Sequence, residues 1–338
     1  MPRIRAWAAR TPRAPLERYD FAPGPLATED VEIAVEYCGI CHSDLSMLDN
    51  EWGMTQYPLV PGHEVIGRVV AIGEDVKGMK VGQRVGVGWN AGSCTQCRSC
   101  LSGDQHLCGQ VQPTIVGRHG GFADRLRVNW LWAVPMPAAL DASSAGPLMC
   151  GGLTVFYPLL SANLSPMSRV GVVGIGGLGH MALQFLNAWG CEIVAFTSSA
   201  AKREEALALG AHRVVSSTDS AAMQALNGSL DLILYTVNVS LDWEALMATL
   251  APKGRLHLVG AVLEPIPVQA MQLISYEQSI SGSPTGPRHA MDAMLDFAAR
   301  HNIAPRVEHF PMSEVNAALR HLREGKPHYR IVLDADFG

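Results

Sequence analysis

Four thiols fall within fifteen residues: Cys94, Cys97, Cys100 and Cys108, spaced C-x2-C-x2-C-x7-C. Thiolates at that density suit a closed, tetrahedral Zn2+ site. The surrounding loop, residues 91–109, has nothing from which to build a core, so a metal would hold it. Free thiols are one alternative, and an iron–sulfur cluster, which also uses close cysteine runs, is another. Zinc is preferred because of what accompanies the loop. That is a scattered second set, Cys41, His63, Glu64 and Cys150. A catalytic zinc takes three protein ligands, a Cys2His set among them, and keeps one position open. Spacing alone leaves this set weak. A lone His after Gly62 is more often structural, and a lone Cys is usually a small buried hydrophobe.

A third stretch is built for phosphate. The β-branched run Val170-Gly171-Val172-Val173 ends in Gly174-x-Gly176-x-x-Gly179, and an apolar helical pattern follows through Leu183, Phe185, Leu186 and Trp189. Strand, tight turn and helix in that order form a dinucleotide-binding unit. The pyrophosphate would meet free N–H groups at a helix N-terminus. An NAD-selective site would place Asp or Glu about 20 residues past the glycines. This chain reads Thr197-Ser198-Ser199-Ala200-Ala201-Lys202-Arg203 instead. Small hydroxyls followed by two cations suit a 2′-phosphate. The same hydroxyls can also cap a helix starting near residue 200, with the cations on its solvated face.

The elements that carry these residues come in two styles. Residues 31–37 alternate apolar and charged, as a half-buried strand does, and deliver the Cys41 segment. Strands at 68–72 and 83–88 follow, broken by Gly and Asp turns. Up to about residue 134 the chain reads as a partly barrel-shaped β domain. Beyond it, strands at 191–196, 213–215, 230–235 and 254–261 alternate with helices at 202–209, 221–226 and 243–250. That alternation predicts a doubly wound parallel sheet. Helices at 290–300 and 314–323 and a strand at 329–335 close the chain. The expected division is 1–152, 153–286 and 287–338, the last segment returning to the first domain.

The 338 residues are 48% hydrophobic and 17% charged, enough for two packed cores without disulfide staples. A net charge of −5 argues against a general nucleic-acid binder. No signal-peptide pattern opens the sequence and no apolar run reaches membrane-spanning length. Eight cysteines without a secretion signal read as metal ligands or thiols. A cytoplasmic location is expected, with no membrane partner.

Together, Cys38-Gly39-Ile40-Cys41-His42-Ser43-Asp44, Pro61-Gly62-His63-Glu64-Val65-Ile66-Gly67, the four-cysteine lobe, the Cys150 segment and Gly174-Ile175-Gly176-Gly177-Leu178-Gly179-His180 resemble zinc-dependent medium-chain alcohol dehydrogenases nearly end to end. The likeness is greatest to the cinnamyl alcohol dehydrogenase branch, and within it to bacterial broad-range NADPH-dependent aldehyde reductases. Asp49-Asn50-Glu51-Trp52-Gly53, the segment Thr236-Val237-Asn238-Val239-Ser240-Leu241-Asp242-Trp243 and Tyr329-Arg330-Ile331-Val332-Leu333 carry that finer likeness.

The resemblance implies a GroES-like catalytic domain plus a Rossmann domain, two zinc ions and NADP(H). Cys41, His63 and Cys150 would hold the catalytic zinc. Glu64 would be an additional or transient ligand, or a carboxylate near the metal. Cys94, Cys97, Cys100 and Cys108 would hold the structural zinc. Cys38 and Cys191 are left as packing residues. Ser43 resembles the relay hydroxyl, and His42 the cation near the pyrophosphate. Ser46 stands where plant relatives carry an outer relay histidine. Cofactor contacts are implied at His42, Thr154, Gly174, Gly176, Gly177, Leu178, Gly179, Thr197, Ser198, Ser199, Lys202, Thr236, Val237, Val259, Gly260, Ala261, Ser283 and Arg330. Arg330 would reach the phosphates. Trp52, Trp89 and Leu153 would wall the substrate pocket.

The expected reaction is reversible hydride transfer between NADP(H) and a primary alcohol or aldehyde, with zinc acting on the substrate oxygen. The expected assembly is a homodimer through the cofactor domains. An NAD-dependent polyol or secondary-alcohol dehydrogenase is opposed by the missing acidic residue after Phe196. A zinc-ribbon nucleic-acid binder fused to a nucleotide sensor is opposed by the cysteine spacing and acidic balance. A zinc-free quinone-reductase-like role is opposed by Cys41, His63 and Cys150 occurring together.

Overall fold

A computed structural model describes residues 3–337, the side chain of Ala200 excepted. The chain divides into two compact units, Met1–Gly151 with Pro287–Gly338, and Gly152–Gly286.

The first unit is built on a seven-stranded sheet. Its longest strand, Asp30–Ile40, pairs antiparallel with Val65–Ile72, Arg125–Asn129 and the closing strand Arg330–Asp334. Along Asp30–Ile40 every second residue from Val31 to Val35 is buried, which sends that face to the core. Ile33, Val69, Val85, Leu126 and Ile331 meet there. The sheet thereby brings residues 40, 64 and 330 side by side, although they are far apart in the chain.

One helix of this unit is not visible as a period in the sequence. His42–Asp49 turns inward Asp44, Ser46 and Met47 as well as Leu45 and Leu48. Two of the five side chains on its buried face, Asp44 and Ser46, are polar, so no apolar stripe marks it. Its start is legible in hindsight. The backbone N–H of Cys41 donates to Asp44 Oδ2 at 2.9 Å, as in a capping box.

The second unit is a six-stranded, wholly parallel sheet. Its spatial order is Arg213–Val215, Glu192–Phe196, Arg169–Val173, Leu230–Tyr235, Leu250–Leu258, Ser279–Gly282. This is the doubly wound dinucleotide-binding order. The central strands are apolar on both faces because helices cover both. Asp219 and Asp242 cap the helices Ser220–Gln224 and Trp243–Thr249 through their side chains. The fifth strand begins at Leu250, four residues before its expected start. Among the described residues no helix is long and apolar enough to cross a membrane.

Candidate metal centres and dinucleotide cradle

Cys41 directly follows Asp30–Ile40 as the N-cap of the helix His42–Asp49, and His63 and Glu64 immediately precede Val65–Ile72. Cys150 follows the short 3-10 helix Gly146–Met149. One ligand atom from each of Cys41, His63, Glu64 and Cys150 lies within 4.8 Å of the others. All of this lies in the first unit. Gly39 makes the approach possible, since a Cβ there would sit 2.1 Å from Glu64 Oε2.

His63 is fully buried. Its Nδ1 is 3.0 Å from Asp44 Oδ1, and its buried Nε2 has no hydrogen-bond partner. An orphaned buried ring nitrogen is costly unless something binds it. A carboxylate on the far ring nitrogen is the usual support of a metal-ligating histidine. Asp44 also accepts the backbone N–H groups of Cys41 and Gly62, both at 2.9 Å, so its orientation is locked. Sequence reasoning gave Asp44 no role. Its position three residues into the helix that Cys41 begins was the available signal.

The electrostatics favour thiolate at Cys41. Pairing with the Cys150 thiol holds Cys41 well below its usual range, although burial opposes this, and the Arg330 guanidinium and His63 add to it. The same pairing, with burial, pushes Cys150 up. Burial also pushes the Glu64 carboxyl up to about 7, with Arg330 pulling it down. A donor set of two sulfurs, one imidazole and a nearby carboxylate fits Zn2+.

Arg330 departs from its expected place. Its guanidinium donates to Glu64 Oε1 and to the Ile40 carbonyl, and the residue is 5% exposed. The pairing of Arg330–Asp334 with Asp30–Ile40 forces this. It sets the guanidinium beside a buried carboxylate, and burying either charge unpaired would be prohibitive. Ser46 is also committed, donating to Glu51 Oε2 at 2.7 Å. Ser43 Oγ lies 3.7 Å from Cys41 Sγ and is partly exposed, while His42 is exposed. The rings of Trp89 and His63 meet edge to face at 5.0 Å, and Trp52 meets Trp89 at 6.0 Å. Leu153 and Thr154 lie buried in the helix Gly151–Ser161.

The lobe cysteines also converge. Cys94–Cys108, Cys97–Cys108 and Cys94–Cys100 sulfur separations are 3.4, 3.8 and 3.9 Å. A tetrahedron with Zn–S bonds of about 2.3 Å has edges of about 3.8 Å, so the four sulfurs already describe that cage. Backbone N–H groups of Gln96 and Cys97, then the Cys108 thiol, lower Cys94 to about 6. Cys38 and Cys191 are buried packing residues.

In the second unit the glycines divide their work. Gly174 has φ +87°, and a Cβ at Gly179 would lie 1.9 Å from the Gly174 carbonyl oxygen. A Cβ at Gly176 would meet nothing within 4 Å, the open space a pyrophosphate would need beside the helix Gly179–Trp189. Gly177 and Leu178 complete the turn, and Val237, Val259, Gly260, Ala261 and Ser283 follow the carboxyl ends of neighbouring strands. Thr236, expected as a cofactor contact, is held at the turn itself. It lies within hydrogen-bond distance of the Val173 and Gly174 carbonyls, at 2.8 and 2.9 Å, and so staples the turn. Lys202 donates to the Ile175 carbonyl at 2.7 Å, which brings its charge to the same turn. Thr197 accepts the backbone N–H of Ser199, and Ser198 is exposed.

Two donor sets for zinc and a doubly wound dinucleotide sheet define a zinc-binding dehydrogenase. Residues 27–138 match the alcohol dehydrogenase GroES-like domain, and residues 177–300 match zinc-binding dehydrogenase. The aldehyde reductase AdhA of Synechocystis sp. is 51% identical over 98% of both chains. A probable cinnamyl alcohol dehydrogenase 8A of Oryza sativa is 40% identical over 97% of this chain and 94% of that one. A Sorghum bicolor cinnamyl alcohol dehydrogenase structure superposes with a TM-score of 0.94 at 38% identity, covering 98% of each chain. A Helicobacter pylori relative complexed with NADP(H) gives 0.90 at 28% identity and the same coverage. The chain belongs to the zinc-dependent medium-chain alcohol dehydrogenase family, in its cinnamyl alcohol dehydrogenase branch.

Asp44→Asn is expected to weaken zinc at the Cys41–His63–Cys150 set by about 10–100-fold. The lobe zinc should be untouched. Competition with a chelator reads this directly, and unchanged retention of both ions would remove Asp44 from the site.

Proposed function

We propose that the protein is an NADP(H)-dependent, zinc-dependent reductase of a broad range of aldehydes, reversibly oxidising the corresponding primary alcohols. The observation that carries this is the convergent Cys41, His63 and Cys150 set, with His63 and Cys150 buried and His63 Nε2 unpartnered. Zinc held there would supply a Lewis acid for a carbonyl oxygen. NADPH would supply the hydride. The chain's own residues do the rest. Asp44 fixes the His63 ring and Arg330 neutralises Glu64, whose carboxylate stands by as a further ligand. Ser43 Oγ passes a proton to the developing alkoxide. Trp52 and Trp89 give the substrate an apolar wall, which discriminates weakly between aldehydes because a methylene changes binding by only about 1–3 kcal/mol.

The preference for the 2′-phosphate rests on Thr197, Ser198, Ser199 and Lys202, with no carboxylate between Phe196 and Arg203. Comparing kcat/KM for NADPH and NADH across aliphatic, aromatic and furanic aldehydes tests it. NADPH is expected to win by about tenfold or more, the difference one charge-assisted contact makes. A preference for NADH would restore the polyol or secondary-alcohol alternative.

The functional assembly is a homodimer formed through the second unit. Met271, Ile274 and Tyr276 are exposed on the helix preceding the edge strand Ser279–Gly282, a combination that invites a second copy. A sedimentation mass of one chain would contradict this. All eight cysteines are free of disulfides, which suits the cytoplasm, and cell fractionation checks that placement.

A further inference from the structure

The helix His42–Asp49 ends in a polar contact where an apolar one is usual. Asn50 is left-handed, with φ 55°. Its N–H donates to the Met47 carbonyl at 3.1 Å, and the N–H of Glu51 donates to the Ser46 carbonyl at 2.9 Å. That pair of bonds is a Schellman turn, which commonly brings two apolar side chains together at its ends. Here the two are Ser46 and Glu51, and Ser46 Oγ donates to Glu51 Oε2 at 2.7 Å. Ser46 is 3% exposed, whereas Glu51 is exposed. The turn does not need this bond to hold it. Thr55 and Tyr57 hydroxyls already donate to the Met47 and Leu48 carbonyls, at 2.7 and 2.8 Å. For packing alone an apolar pair would serve better, because a buried hydroxyl carries a desolvation cost.

What the pair adds is a route to solvent. Ser43 lies three residues before Ser46 on the same helix. Side chains at that spacing are neighbours, with Cβ atoms about 5–6 Å apart, a gap that one water bridges. Ser43 Oγ is 3.7 Å from Cys41 Sγ, at the metal centre. The groups therefore run from a zinc ligand, past a buried hydroxyl, to an exposed carboxylate. A hydroxyl relays a proton because it accepts on a lone pair while donating its own O–H. Ser46 is set for outward transfer. Its O–H is turned to Glu51, which leaves its lone pairs for a donor on the inner side.

We infer that Ser46 and Glu51 form the outer half of the proton route, between Ser43 and solvent. This rests on the reading above, in which Ser43 exchanges a proton with the substrate oxygen. Oxidation of an alcohol to an aldehyde gives one hydride to NADP+ and releases one proton. The alcohol O–H breaks as Ser43 Oγ takes its proton, and Ser43 gives its own proton to the bridging water. That water protonates Ser46 Oγ as the Ser46 O–H breaks toward Glu51, and Glu51 passes the proton to bulk water. Aldehyde reduction runs the same transfers inward, with Glu51 reloaded from solvent. Neither Ser46 nor Glu51 touches the substrate, so both act through Ser43.

The test is single-turnover kinetics of the zinc-loaded enzyme in H2O and D2O, with imidazole added as a free proton carrier. Glu51→Gln and Ser46→Ala are each expected to slow turnover about tenfold, less than the loss of a group that touches the substrate. The solvent isotope effect should rise in both, since proton transfer then limits the rate. Imidazole should restore most of the loss, which it would not do for a merely structural defect. Because the two groups act in series, the double variant should be no slower than either single one. Zinc content and the Kd for NADPH should stay at their wild-type values. Glu51 is exposed, so Glu51→Gln decides the matter if Ser46→Ala does not fold. An unchanged rate and solvent isotope effect in Glu51→Gln overturns the proposal, and so does a loss that imidazole leaves in place. A wild type that reduces none of the aliphatic, aromatic and furanic aldehydes overturns the reductase reading and this proposal together.

Discussion

Cys150→Ser is expected to reduce aldehyde turnover by about 10³-fold or more while the chain stays folded. A Lewis acid at a carbonyl oxygen contributes several kcal/mol to the barrier, and about 4 kcal/mol corresponds to a thousandfold rate. Serine keeps the volume near Cys41 and His63 but exchanges a soft thiolate for a hydroxyl that zinc holds poorly. Zinc content should fall from about two ions per chain to about one, as a site keyed to this donor set demands. Global stability should change little, since the sheet Asp30–Ile40, Val65–Ile72 and Arg330–Asp334 pairs through its own backbone. Ser43→Ala makes the contrast. It should retain both ions and lower kcat by about 10²-fold, the worth of a placed proton-transfer group. Metal analysis beside steady-state kinetics separates the two variants. Full activity in Cys150→Ser at one zinc per chain would place the chemistry elsewhere, and an unchanged kcat in Ser43→Ala, with chemistry limiting turnover, would remove that hydroxyl from the proton route.

The second large effect belongs to the lobe. Its regular structure is a four-residue helix, Arg98–Leu101, and a single 3-10 turn, Gln105–Leu107. Leu101 and Leu107 are 76% and 55% exposed, so the lobe has no apolar core to hold it. Cys100 and Cys108 are its buried sulfurs. Structural zinc contributes roughly 10–16 kcal/mol of folding free energy in isolated peptides. In a loop anchored at both ends only part of that reaches global stability. Cys97→Ser is therefore expected to lose one zinc and to lower Tm by roughly 6–12 °C, what about 3 kcal/mol does to a domain of this size. Cleavage by added protease should start in residues 91–109. Two ions retained with an unchanged Tm would show that the four sulfurs hold no metal.

The parts of this protein that were legible in its sequence are the local ones. The four-cysteine spacing and the glycine turn each carry their chemistry within about fifteen residues, so they survive without any tertiary information. The alternation of strand and helix between residues 169 and 286 also follows from period alone. What was hidden depends on sheet pairing. Arg330 meets Glu64 only because the closing strand lies against Asp30–Ile40, and no pattern near either residue announces it. Thr236 staples the turn because Leu230–Tyr235 pairs with Arg169–Val173, which puts its hydroxyl over two carbonyls. Asp44 was hidden for a different reason. Its helix buries two polar side chains among five, so the usual apolar stripe is missing where the site needs a carboxylate.

The central claim is direct transfer of hydride from NADPH to a carbonyl carbon at the Cys41–His63–Cys150 centre. The measurement that meets it most directly is NMR of the alcohol formed from an aldehyde and NADPH carrying deuterium at both C4 positions of the nicotinamide. One deuterium at C1 of the alcohol is expected with the wild type and, on the same timescale, almost no alcohol with Cys150→Ser. Unlabelled alcohol, or equal labelled product from Cys150→Ser, would contradict it.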